Sequence, residues 1–136
     1  MRVLILSFLS NDNETHKKIL GELDKACTAK GNQVDIKNGN LESDTLRTTG
    51  YDYIAVVVQA SPLFGAKVPE KLPFIMAQCG TVTGKKGCAL VVKRGFSSEK
   101  MCTKVMYYME KEGMKLDYFD VILNADHAPS VGRKIG

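Results

Sequence analysis

Six consecutive apolar residues, Tyr53-Ile54-Ala55-Val56-Val57-Val58, constrain this chain more than any other stretch. The run is too short for a buried helix and shows no polar–apolar alternation, so it reads as a strand covered on both faces. Residues 3–8 form a second such run, with Ser7 its only polar member, and residues 88–92 a third. Val34-Asp35-Ile36 reads as a short alternating strand, and residues 118–123 as a fifth. Helical spacing fills the gaps. Ile19, Leu20, Leu23, Ala26 and Cys27 recur up to Lys30, where Gly31 ends the pattern. Residues 70–79 carry Leu72, Ile75, Met76 and Cys79 on one side. A third helix is predicted to start at a Ser97 or Ser98 cap, present Met101, Cys102, Val105, Met106 and Met109, and close at Gly113.

Short strands alternating with helices of this length predict a parallel sheet with helices on both faces. Right-handed crossovers leave few topologies. The expected fold class is α/β, a three-layer sandwich around a five-stranded parallel sheet of order 2-1-3-4-5. Such a sheet binds ligands at the carboxyl ends of its first and third strands. Three loops gather there: residues 10–15, 61–65 and 93–97. The second belongs to Ser61-Pro62-Leu63-Phe64-Gly65-Ala66-Lys67-Val68-Pro69, which by itself reads equally as an ordinary strand-to-helix connection.

Other features exclude function classes. At 136 residues, with 44% apolar and 25% charged residues, the chain is expected to be one domain over residues 1–136. No apolar run reaches the ~20 residues that cross a bilayer. The opening apolar run stops in Ser-Asn-Asp-Asn-Glu without a cleavage pattern, so a cytoplasmic location is expected. Cys27, Cys79, Cys88 and Cys102 show neither C-x-x-C pairing nor a histidine at metal spacing, which argues against zinc and disulfides. The net charge is +4, and residues 85–115 hold eight basic against three acidic side chains. With few interleaved aromatics, these read as a solvated helix face rather than a nucleic-acid surface.

The loops resemble those of the flavodoxins. Ser61-Pro62-Leu63-Phe64-Gly65 is similar to that family's S-P-T-Y-x-G loop, and Gly95-Phe96-Ser97-x-Glu99 to its G-W-S-G-E stretch. The opening Met1-Arg2-Val3-Leu4-Ile5-Leu6 resembles the first strand, and the likeness extends from Met1 to about Leu123. It implies a flavin mononucleotide (FMN) cofactor in an electron carrier or small FMN-dependent oxidoreductase, with a redox or protein partner. Phe64 and Phe96 would flank the flavin ring. Backbone around residues 63–65 and 94–96 would face its polar edge, with Ser61 and Pro62 shaping the wall. Ser10, Asn13 and Thr15 would hold the phosphate, helped by Arg94.

The chain departs from the pattern in two places. Flavodoxins read S/T-x-T-G-N-T where this chain has Ser10-Asn11-Asp12-Asn13-Glu14-Thr15. Asp12 replaces a hydroxyl, Asn13 a glycine at a turn expected to want positive φ, and Glu14 an asparagine. A carboxylate ~4 Å from a phosphate is repelled by ~1 kcal/mol per unit charge in water and by more in a partly buried site. Asp12 and Glu14 alternatively face solvent, or cap the helix amides that a phosphate would use. The second function class is therefore a flavin-free domain of the same fold, binding an anion or a protein. The second departure is the tail. Ser130-Val131-Gly132-Arg133-Lys134-Ile135-Gly136 is short and holds two glycines, so a sheet face is expected either to dimerise or to be covered by a folded-back tail. A homo-oligomer is the expectation.

Four other constellations weigh little. Asp126-His127 lacks a G-x-S-x-G elbow to complete a hydrolytic triad. Gln59-Ala60-Ser61 offers no aspartate for phosphoryl transfer, and G-x-G-x-x-G is absent. His16, one residue after Thr15, is placed to touch a phosphate but reads more readily as a solvated first-turn side chain.

Overall fold

A computed structural model of the chain describes residues 1–41, 46–61 and 66–136. Five strands, β1 (Arg2–Ser7), β2 (Gln33–Asn38), β3 (Tyr53–Gln59), β4 (Lys86–Val92) and β5 (Lys115–Ile122), form one sheet. All pairings are parallel and the order is β2-β1-β3-β4-β5, as expected. The helices are α1 (Glu14–Ala29), α2 (Lys71–Gln78), α3 (Ser98–Lys111) and α4 (Ala128–Gly132).

Strand side chains alternate between two cores because successive Cβ atoms point to opposite faces. Leu4, Leu6, Ile54, Val56, Val58, Ala89 and Val91 meet Leu72, Ile75 and Met76 of α2 and Met101, Val105 and Met109 of α3. Val3, Ile5, Ala55, Val57, Cys88 and Leu90 meet Ile19, Leu23 and Cys27 of α1. The same core takes in Ala128, Val131 and Ile135 of the tail. Each fully buried Leu, Ile or Val contributes about 1.5–3 kcal/mol relative to exposure, so doubly covered strands dominate the stability. All four cysteines are buried free thiols in these cores.

The tail resolves the open question of the sheet face. It folds back onto α1, the second of the two expected arrangements. A Cβ at Gly132 would come 2.9 Å from the Leu23 carbonyl oxygen and 2.8 Å from the Ala26 methyl, so glycine lets α4 sit on α1. Lys30 Nζ then donates to the backbone oxygens of Ile135 (3.1 Å) and Gly136 (3.3 Å). The glycine that made the tail look weak is what allows it to dock.

β5 starts at Lys115, three residues before the expected strand. As an edge strand it alternates exposed Lys115, Asp117 and Phe119 with half-buried Leu116, Tyr118 and Asp120, so its first half lacks an apolar run. Among the described residues, no helix is long and apolar enough to cross a membrane.

Candidate functional site

The carboxyl ends of β1, β3 and β4 bring the predicted loops to one end of the sheet. Two of these loops are physically joined. Ser97 Oγ donates to the Ser61 carbonyl oxygen at 2.9 Å, tying the loop after β4 to the one after β3. Ser61 Oγ in turn accepts from the Lys67 amide at 3.0 Å. Ser97 was expected to cap α3, as was Ser98; neither makes a side-chain cap bond. Ser97 reaches across to Ser61 instead, and Ser98 Oγ is buried with no hydrogen-bond partner among the described residues. That orphaned hydroxyl lies next to Ser97, at the start of α3.

Gly95 has φ +64°, the left-handed region that glycine enters without strain. The turn it makes leaves Phe96 92% exposed. Arg94 is exposed as well. Pro62, Leu63, Phe64 and Gly65 lie outside the described residues, so the wall expected from Phe64 is not described.

The loop after β1 is built differently. Asn13 is the N-cap of α1, and its Oδ1 accepts from the His16 amide at 3.0 Å. Ser10 Oγ accepts from the Asp12 amide (3.2 Å), and the Ser10 amide donates to His16 Nδ1 (3.2 Å). The positive φ expected at residue 13 is not needed: Asn13 is extended at φ −94°. Asp12 and Glu14 are both exposed, and Glu14 pairs with Lys17 at 3.5 Å. Of the openings left by the sequence, the carboxylates face solvent and asparagine does the capping. Thr15 is exposed in the first turn of α1.

His16 corrects the expectation of a solvated side chain. It is buried, and the Ser10 amide pins its Nδ1 as acceptor. Burial first, and the Arg94 guanidinium second, pull its pKa below the ordinary histidine value. His16 continues the buried stripe Ile19, Leu23 and Cys27 at helical spacing, the one signal that could have revealed it.

Asn38 and Asn40, at the end of β2, also escaped sequence reasoning. Asn38 Nδ2 donates to the Leu9 carbonyl (3.2 Å) and to Asn11 Oδ1 (3.0 Å); Asn40 Nδ2 donates to the Phe8 carbonyl (3.1 Å). Gly39 separates them because a Cβ there would collide with the Phe8 ring. These residues, with Ser10, Asp12 and Gln59, border a cavity of about 500 Å³ at the carboxyl ends of β1, β2 and β3. The size falls in the range of small-molecule sites.

A larger hollow, about 1120 Å³, lies elsewhere, along the outer edge between α3 and β5. Lying along the edge strand β5 rather than between β1 and β3, it is an edge groove and not the switch-point site. There His127 Nδ1 accepts from the Leu123 amide at 3.1 Å, and Nε2 faces Asp120 at 4.0 Å. Asp120 also accepts from the Tyr118 hydroxyl. His127 thus faces Asp120 and backbone rather than Asp126, so it makes no hydrolytic pair with its neighbour.

No model of a known protein family matches the sequence, and no curated protein does. Solved structures match it closely in shape. A flavodoxin from the domain Archaea superposes with a TM-score of 0.74 at 17% identity, covering 99% of this chain and 96% of that one. Oxidised flavodoxin 1 from Bacillus cereus gives 0.71 at 10% identity, covering 96% and 93%. An NAD(P)H:quinone oxidoreductase from Methanothermobacter marburgensis gives 0.69 at 14% identity, covering 98% of both chains. At these identities the likeness concerns the fold alone: the chain has a flavodoxin-like fold.

Proposed function

We propose that this chain is a flavin-binding redox protein that holds its cofactor chiefly by the ring. The observation that carries this reading is the 2.9 Å bond from Ser97 to Ser61, beside a 92% exposed Phe96. It fixes the spacing of two loops whose sequences resemble the ring-binding loops of flavodoxins. Phe96 would lie against one face of the ring, its exposed side chain standing beside the clasp. Phe64 and its neighbours Pro62, Leu63 and Gly65 are proposed for the other wall. Backbone at Arg94 and Gly95 would meet the ring's polar edge. A bound flavin would supply the electron transfer, and the loops would orient it and limit water around it.

The FMN expected from the resemblance fits the ring end better than the phosphate end. The His16, Ser10 and Asp12 amides are engaged within the first loop. That same observation favours the second reading, a flavin-free module of this fold that binds an anion or a protein. Colour separates the two. Protein purified with excess flavin should be yellow and should quench flavin fluorescence. Colourless protein that leaves the fluorescence of riboflavin and FMN unchanged would remove the redox reading and leave the binding module.

A further inference from the structure

We propose that the outer edge of β5, with the groove between it and α3, is the surface through which two copies of this chain pair about a twofold axis. The tail covers the sheet face over α1, so an oligomer needs another surface. The two edges of the sheet differ. β2 sets Asp35 and Lys37 between its apolar residues, and Asp35 is engaged by Arg2 and by the Tyr51 hydroxyl. Charges of this kind keep an edge from adding another strand. β5 is guarded only in its first half, by Lys115 and by the register shift opposite Gly87 and Cys88. From Phe119 to Leu123 the one charged residue is Asp120, and among the described residues β5 pairs with β4 alone.

Apolar surface gathers on that unguarded half. Tyr107, Phe119 and Leu123 are each more than half exposed, and all three border the groove with Met106 and Val121. A cluster of exposed apolar side chains rimmed by charge marks a contact surface, and Tyr, Phe and Met are favoured at the centre of one. The rim says which partner fits. α3 runs antiparallel to β5: Cys102 Sγ meets the Asp120 carbonyl oxygen at 3.5 Å, whereas Met106, a turn later, lies by Leu116 and Phe119. Glu99 and Asp120 therefore mark one end of the groove, and Lys111 and Lys115 the other. A twofold axis near Phe119 turns a second copy end for end. Glu99 of each copy then faces Lys111 of the other, and the two Phe119 rings meet at the centre. A twofold contact requires such a self-complementary patch. Glu110, at the basic end, is the counter-argument, but Lys111 and Lys115 outnumber it there. Asp117, at the same end, accepts from the Tyr53 hydroxyl, which belongs to the opposite core.

Sedimentation velocity over a dilution series, with no flavin added, reads the state directly. The mass should rise from one chain toward two as concentration increases. Phe119→Glu alters a side chain that is 58% exposed, so the circular dichroism of the fold should persist. It should raise the dissociation constant of the pair about tenfold or more. Glu99→Lys sets like charges against each other at both ends and should weaken pairing about threefold. Adding Lys111→Glu restores opposite charges and should recover the parent value. A chain that stays monomeric at every concentration overturns the proposal and leaves the groove to a partner of another kind. A dimer that Phe119→Glu does not weaken overturns the assignment to this edge. Failure of the double variant to recover overturns the end-for-end arrangement.

Discussion

The two ends of the loop cluster satisfy their backbones in opposite ways. At the α1 end, Asn13, His16 and Ser10 turn inward and latch onto amides of their own loop. At the β4 end, Ser97 gives up a capping role to clasp Ser61, and the aromatic beside it projects outward. One region spends its polar side chains on folding, and the other keeps an exposed ring on a braced frame. Mutations at the first should therefore act mainly on stability, and mutations at the second should all reach ligand affinity.

The largest effect that could break this contrast is at His16. Replacing it by Ala removes a buried ring and leaves the Ser10 amide without its acceptor, which should cost about 2–3 kcal/mol. The denaturant midpoint should fall with little change in slope. A loss below about 0.5 kcal/mol, the ordinary range for a surface substitution, would mean that the latch stabilises nothing.

Phe96→Ala is the converse. With the side chain 92% exposed, stability should move by less than about 0.5 kcal/mol. Flavin affinity should fall about tenfold, the loss of one aromatic stacking contact of ~1–2 kcal/mol. Equal affinity for variant and parent, measured by fluorescence titration, would take Phe96 out of the site and erase the difference between the two ends.

Much of this arrangement was legible in the sequence. Doubly covered β1, β3 and β4 announce themselves as unbroken apolar runs, and the strand order follows from handedness and connection length. The first half of β5 was not legible, because an edge strand wets alternate residues and Lys115 and Asp117 break the run. The loops were found by motif, but their bonding was not. No pattern distinguishes a serine that caps its own helix from Ser97, which reaches a carbonyl 36 residues away. His16 was misread because residue type outweighed its place in the stripe with Ile19 and Leu23. Asn38 and Asn40 matter only because their strand ends beside Phe8 and Leu9, a neighbourhood that exists after folding.

Ser97→Ala tests the brace itself. Loss of the bond to the Ser61 carbonyl should cost about 1 kcal/mol in stability, as the acceptor is partly buried. It should also weaken flavin binding, since the spacing of the two loops is no longer fixed. Ser97→Thr, which keeps the hydroxyl, should recover most of the affinity. Failure of Thr to recover it would place the effect in side-chain shape rather than in the clasp.

The smallest effect sharpens the contrast through pH. Burial, and then Arg94, depress the His16 pKa, so the folded protein binds the proton less readily than the unfolded chain. Stability must then rise with pH across the interval between the folded and unfolded values. The contribution is complete above the ordinary value of 6.5 and is lost as pH falls below it toward the lowered one. Protonation occupies Nδ1, which then cannot accept from the Ser10 amide, so the same titration loosens the latch. Asp35, whose pKa is lowered first by the hydrogen bond from the Tyr51 hydroxyl, contributes stability that is lost only near and below its ordinary 3.8. Unfolding midpoints followed from pH 7.5 down to about 5.5 should therefore separate the His16 contribution from that of Asp35. The decline should flatten in His16→Asn, which offers an acceptor but no titration, and persist unchanged in Phe96→Ala. A decline of equal slope in His16→Asn would assign the pH sensitivity to some other group and leave the latch independent of protonation.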